Sequence, residues 1–132
     1  MKNIVWDDAL SVEVNEIDDD HRKLVNLFNI LSHSVAEGDA TDYIEAVLEE
    51  LISCTIWHFR HEERLMLLYK YEGIAEHKAE HQDLIESARE LQQKFLDSKQ
   101  LTDKDIEYLE DWLTGHILGH DMKLGFYLMK AM

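Results

Sequence analysis

The chain has 132 residues, 45% of them hydrophobic, with 28 acidic against 13 basic side chains and a formal charge of −15. A chain of this length fits one domain, residues 1–132, that buries a core without disulfide or metal staples. The charge argues against nucleic-acid partners and anionic membrane surfaces, since no Lys and Arg cluster is there to release counterions.

No run approaches the roughly 18 apolar residues of a membrane span, and the start MKNIVWDDAL lacks a signal-peptide profile. With Cys54 as the single cysteine, a reducing compartment and a cytoplasmic location are expected. The acidic surface suits a monomer. There is no proline, and no alternating run long enough for a sheet, so the expected class is all-α.

Residues 1 to 16 read as an N-terminal arm, carrying Trp6, Leu10, Val12 and Val14 across the helices. A first helix is predicted from about Asp18 to Glu37, with the inward stripe Ile17, His21, Leu24, Phe28, Leu31 and Val35. Asp18, Asp19 and Asp20 sit where the N-terminal dipole favours negative charge, and Gly38 closes the helix. A second runs from about Thr41, a candidate cap, to Tyr69, with Ile44, Val47, Leu51, Cys54, His58, Glu62 and Leu65 inward. Cys54 reads as core packing.

The segment Tyr71-Glu72-Gly73 breaks the pattern. A third helix, about Ile74 to Leu96, turns Ile74, His77, His81, Leu84, Ala88, Leu91 and Phe95 to one side. The fourth is predicted over about Asp103 to Met129, opened by a Thr102–Asp105 capping box. Four such helices on short connections describe an antiparallel up-down-up-down four-helix bundle.

His58 and Glu62 lie four residues apart, so both project from one helix face. His21, His58, His77, His81 and His116 all fall in core phase. Buried without a metal, their ring nitrogens would each cost on the order of 1–3 kcal/mol if unpaired. On alternately ascending and descending helices rising about 1.5 Å per residue, all five reach one layer near one end of the bundle. Five imidazoles with at least one carboxylate exceed the needs of a single tetrahedral zinc, and the mixed set suits iron or manganese.

The sequence resembles the hemerythrin family, in particular its single-domain bacterial members. The resemblance rests on Trp6 in the arm; on Ile17-Asp18 with His21 and Leu24; on His58-Phe59 with Glu62-Glu63 and Met66; on His77 with His81; and on Trp112-Leu113, His116-Ile117 and Asp121. It implies a non-haem di-iron centre. One iron would be held by His77, His81 and His116 and the other by His21 and His58. Glu62, Asp121 and a solvent-derived oxo or hydroxo group would bridge the two. The two-histidine iron keeps an open position for dioxygen. Leu113 and Ile117 would line an apolar oxygen pocket, with Phe59 and Trp112 as further walls.

Ideal helix geometry disagrees at one point. It pairs His116 with His120, because Asp121 lies about 140° away around the axis. The family pattern chooses Asp121, and past His116 the apolar stripe reads Ile117, Asp121, Leu124 and Leu128, one residue out of phase. A widening or bend between Thr114 and Asp121, eased by Gly115 and Gly119, is therefore expected. His33 and His61 are out of phase and expected in solvent. So are Glu63, Glu80, Asp83 and Asp111, whose alternative role is to support ligand imidazoles.

The function expected is reversible dioxygen binding for carriage, storage or delivery, with no catalytic residue assigned. The alternatives are a di-iron redox enzyme acting on oxygen, peroxide or nitric oxide, and an oxygen or iron sensor acting on a separate partner.

Overall fold

The structure, a computed structural model, describes residues 3–132 and is all-helical there; the first two residues of the expected arm and domain lie outside them. The helices are α1 (Asn15–Ala36), α2 (Thr41–Leu68) and α3 (Ile74–Ser98), followed by a fourth rod. That rod consists of α4 (Asp103–His116), a π-helical turn over Ile117–Asp121, and α5 (Met122–Ala131). α2 packs against α1 and α3, and α4 closes the ring against α1 and α3, giving the up-down-up-down bundle. No helix among the described residues is long and apolar enough to cross a membrane.

The inward stripes pack as two apolar clusters. The larger includes Leu24, Phe28, Leu31, Leu48, Leu51, Phe95, Leu109 and Leu113. The smaller joins Val12, Val14, Ile17, Leu65, Met66, Tyr71, Leu124 and Leu128. Between them in sequence, on every rod, lie the histidines and carboxylates of the stripes. Cys54 is half-buried and packs against the larger cluster.

The helix ends follow local chemistry, with one correction. Thr41 does not cap α2: the N-cap is Ala40, with no side-chain cap, and Thr41 is the first helical residue. Gly38 ends α1 at a φ of 67°, a left-handed conformation that costs glycine little. The Thr102–Asp105 box is formed at both hydrogen bonds, and Lys94 Nζ donates to Asp105 Oδ1 at 3.0 Å.

Burial works against the Asp105 carboxylate, but Thr102 and Lys94 hold its pKa below the ordinary value. A carboxyl stabilised in this way contributes above its unfolded pKa of about 3.9, and the contribution fades as pH falls through the lower folded value. Asp105→Asn should thus cost about 1 kcal/mol at neutral pH, with the gap to the parent closing in acid denaturation curves below that range.

The described part of the arm contains a 3₁₀ turn, Asp8–Leu10, and is stitched along α1. Ile4 exchanges backbone hydrogen bonds with the Asn29 side chain, and Arg22 stacks over Trp6 at 4.9 Å. Asp18 contributes more than a favourable dipole charge. Its carboxylate is buried and accepts from Val12 N–H at 2.8 Å and Ser11 Oγ at 2.6 Å, clamping the arm over the smaller cluster.

There the arm meets α5 backbone to backbone: a Cβ on Gly125 would stand 2.3 Å from Val12 O. Gly125→Ala must push the arm outward, and overpacking of this kind costs about 1–3 kcal/mol. Urea denaturation of the variant should show that loss.

Candidate metal centre

His21 comes from α1, His58 and Glu62 from α2, and His77 and His81 from α3. The fourth rod supplies His116 just before its π-helical turn and Asp121 as the last residue of it. None of the seven is more than 5% exposed. Bonding from i to i+5 takes residues five apart through little more than one full turn, so the expected distortion is present and Asp121 faces inward with His116. Added Cβ atoms at Gly115 and Gly119 would meet nothing within 4 Å, so space does not demand glycine at either position.

Among the described residues, two groups of side chains offer atoms that all lie within 4.8 Å of one another. One is His77, His81, His116, Glu62 and Asp121; the other is His21, His58, Glu62 and Asp121. Both carboxylates belong to both groups. Asp121 Oδ1 lies 2.9 Å from Nε2 of His77 and of His116, while its Oδ2 lies 2.7 Å from His21 Nε2. Glu62 Oε1 lies 3.1 Å from His81 Nε2 and 3.4 Å from His58 Nε2.

These contacts fit a metal better than a hydrogen-bond network. His21 Nε2 and His58 Nε2 face each other at 3.0 Å, where two lone pairs repel unless a proton or a cation lies between them. Two nitrogens bound to one ion at about 2.1 Å and a right angle stand about 3.0 Å apart. Asp121 Oδ2, His116 Nε2 and Glu62 Oε2 are buried and make no aligned hydrogen bond. Close approach without alignment is what atoms directed at a shared ion produce.

The outer ring nitrogens of His58, His81 and His116 have carboxylate partners, whereas Nδ1 of His21 and of His77 is buried without one; the partners correct three expectations. Glu63 and Glu80 are not simply solvated: they accept from Nδ1 of His81 at 2.9 Å and of His116 at 2.7 Å. Asp20 accepts from His58 Nδ1 at 2.9 Å and from His61 Nδ1 at 2.6 Å. His61, expected in solvent, is half-buried by that pairing and a contact with Glu16. A proton fixed on Nδ1 turns the Nε2 lone pair toward the centre. His33, Asp83 and Asp111 are exposed as expected. His120 pairs with Glu80 and belongs to neither group.

The electrostatics favour cations. With protons on the nitrogens, burial opposes a charged His58, yet Glu62, Asp121 and Asp20 push its pKa up to about 10. His77 rises to about 9 against burial through Asp121 and Glu62. Burial and repulsion from Asp121 work against an ionised Glu62, but His58, His116 and His77 hold it down at about 2. The carboxylates therefore stay charged at neutral pH, and a metal must displace protons to bind.

Beside His21, His58 and His116 lies a small cavity with about 10 Å³ of room for the centre of a water-sized sphere. The four expected pocket residues, Phe59, Trp112, Leu113 and Ile117, all line it, with Leu24, Thr55 and Leu84 in addition. Its polar walls are already engaged: Trp112 Nε1 donates to Leu84 O and Thr55 Oγ1 to Leu51 O. Phe59 stacks on His81 with ring centres 3.8 Å apart.

Comparison with known proteins agrees with this geometry. Residues 12–125 match the family model described as hemerythrin HHE cation binding domain. The chain belongs to the hemerythrin family. It is 32% identical to a bacteriohemerythrin of Pseudomonas paraeruginosa, covering 92% of this chain and 78% of that one. It is 32% identical to myohemerythrin-1 of Phascolopsis gouldii, covering 90% and 89%. Among solved structures, wild-type hemerythrin superposes with a TM-score of 0.86 at 31% identity, covering 95% of this chain and 97% of that one. The hemerythrin likeness thus embraces both the bundle and the layer in which a metal can be held.

Proposed function

We propose that this protein binds dioxygen reversibly at a di-iron centre and serves in oxygen carriage, storage or delivery rather than catalysis. His77, His81 and His116 would hold one iron and His21 and His58 the other, with Glu62 and Asp121 bridging them beside an oxo or hydroxo group. Bound there, the iron pair would supply the electrons that dioxygen binding requires. The observation that carries this reading is the apolar cavity beside His21, His58 and His116, with no unengaged side-chain donor on Trp112 or Thr55.

The protein's own part is to orient and exclude. Asp20, Glu63 and Glu80 fix three imidazoles through Nδ1. Leu24, Leu84, Leu113, Ile117 and Phe59 surround the cavity with hydrocarbon, leaving little room for water that could carry protons to the site. A cytoplasmic monomer fits this role, with dioxygen itself as the partner.

The test is to load and reduce the protein anaerobically, expose it to air, and purge it again while recording the visible spectrum. A band that appears with air and disappears on purging is expected; immediate irreversible oxidation would favour the redox-enzyme or sensor reading. Leu113→Ala should retain iron yet oxidise irreversibly at least several-fold faster, since the opened cavity admits water. Repeated air cycles against the parent protein measure that difference.

A further inference from the structure

The inner cavity has a second side. Leu24 and His58, which line it, also floor an open groove of about 240 Å³ between α1 and α2, whose other walls include Cys54, Trp57, Lys23 and Glu50. On this side the same two side chains face both spaces. His58 is fixed, with Nδ1 donating to Asp20 and Nε2 facing His21 in the metal layer. Leu24 is 2% exposed and has only hydrocarbon to hold it in place. Of the two, only Leu24 can swing aside without breaking a polar contact.

We propose that Leu24 is the gate through which an uncharged diatomic gas passes between the α1–α2 groove and the inner cavity, with Cys54 and Trp57 lining the vestibule. The inference rests on the dioxygen reading above and names its route. Selectivity follows from the materials of the path. Lys23, Glu50 and Asp20 keep the outer groove wetted, but a charged or strongly hydrated molecule must shed its water to pass Leu24 and finds no replacement partner beyond it. Dioxygen and nitric oxide lose almost nothing at that step. Leu24 is buried and must part its packing for each passage in either direction, so the gate sets the rate of entry and of exit alike and leaves the equilibrium to the centre.

Cys54 is the chain's single cysteine, so the vestibule can be plugged chemically. Burial raises its thiol pKa, and a bulky maleimide is therefore coupled at alkaline pH and the iron-loaded, reduced protein is then studied at neutral pH. Association and dissociation rates of dioxygen and of nitric oxide are measured by flow mixing and flash photolysis. The plug should slow both rates roughly tenfold and Leu24→Ala should speed both by a similar factor, with the plug leaving the ratio of the two rates unchanged.

Unchanged rates in an alkylated protein that retains its iron overturn the gate, and so does a Leu24→Ala variant with parental rates, which decides the matter if alkylation disturbs the fold. Irreversible oxidation by air with nitric oxide traffic still slowed by the plug overturns the oxygen-carrier reading and leaves the gate standing.

Discussion

Replacing Asp121 by alanine should strip the protein of nearly all its iron, whereas replacing His81 by alanine should leave about half. The difference follows from membership of the two ligand groups. Asp121 and Glu62 belong to both, while His81 belongs only to the three-histidine group. At the proposed di-iron centre, losing a shared carboxylate would remove an anionic ligand from each iron and part of the charge that offsets two cations. Its effect on affinity should exceed the roughly 10–100-fold typical of losing a supporting residue outside the coordination shell.

Glu62→Gln makes the same point while keeping shape, because the amide still fills the site with less charge and a weaker donor. Removing a charge from a buried pair costs about 3–5 kcal/mol, so helicity is checked before the metal is counted. Elemental analysis after gel filtration gives the answer. One full equivalent of iron in folded Asp121→Ala would show that the carboxylate is not shared.

How much of this was legible in the sequence depends on how far apart the interacting residues lie. Periodicity along one helix has direct geometric meaning, so the inward stripes, the bundle and the common depth of His21, His58, His77, His81 and His116 could be read from spacing. The Thr102–Asp105 box is equally local. The partners of the outer nitrogens could not be read this way. Asp20 is 38 residues from His58, and Glu80 is 36 from His116. Each sits on the flank of its own helix, where a solvated carboxylate and one aimed at a neighbouring helix have the same pattern.

His61 was misplaced for that reason: its phase on α2 is outward, but Asp20 on α1 meets it at the seam. Asp18 was legible only as charge at a helix start, because its contacts run backward to the arm, which has no periodicity. The turn at Ile117–Asp121 is the opposite case. Apolar residues beyond it fall one position out of step with those before it, and a register shift in an otherwise regular stripe is a local signal of an extra residue.

That extra residue leads to the second large effect. Inserting one alanine after Gly119 should abolish iron binding and lower the melting temperature steeply, while deleting Gly119 should do neither. The π-helical turn fits five residues where an α-helix fits about four, and in doing so keeps both halves of the rod in phase with the core. Deleting one residue lets α4 and α5 join as a regular helix. His116 and Asp121 are then four apart and still share a face, and a glycine that costs about 1 kcal/mol in a helix interior is gone.

Inserting a residue rotates everything beyond it by about 100°. Asp121 leaves the centre, and Leu124 and Leu128, both 0% exposed in the parent, turn toward solvent. Losing a buried leucine from a core costs about 2–5 kcal/mol, so two of them together rival the entire stability of a typical domain, about 5–15 kcal/mol. Thermal denaturation followed by circular dichroism, with iron content measured on the same samples, separates the two variants. An insertion variant with parental iron and melting temperature would mean that the turn does not set the register of α5, and that Asp121 reaches the centre for some other reason.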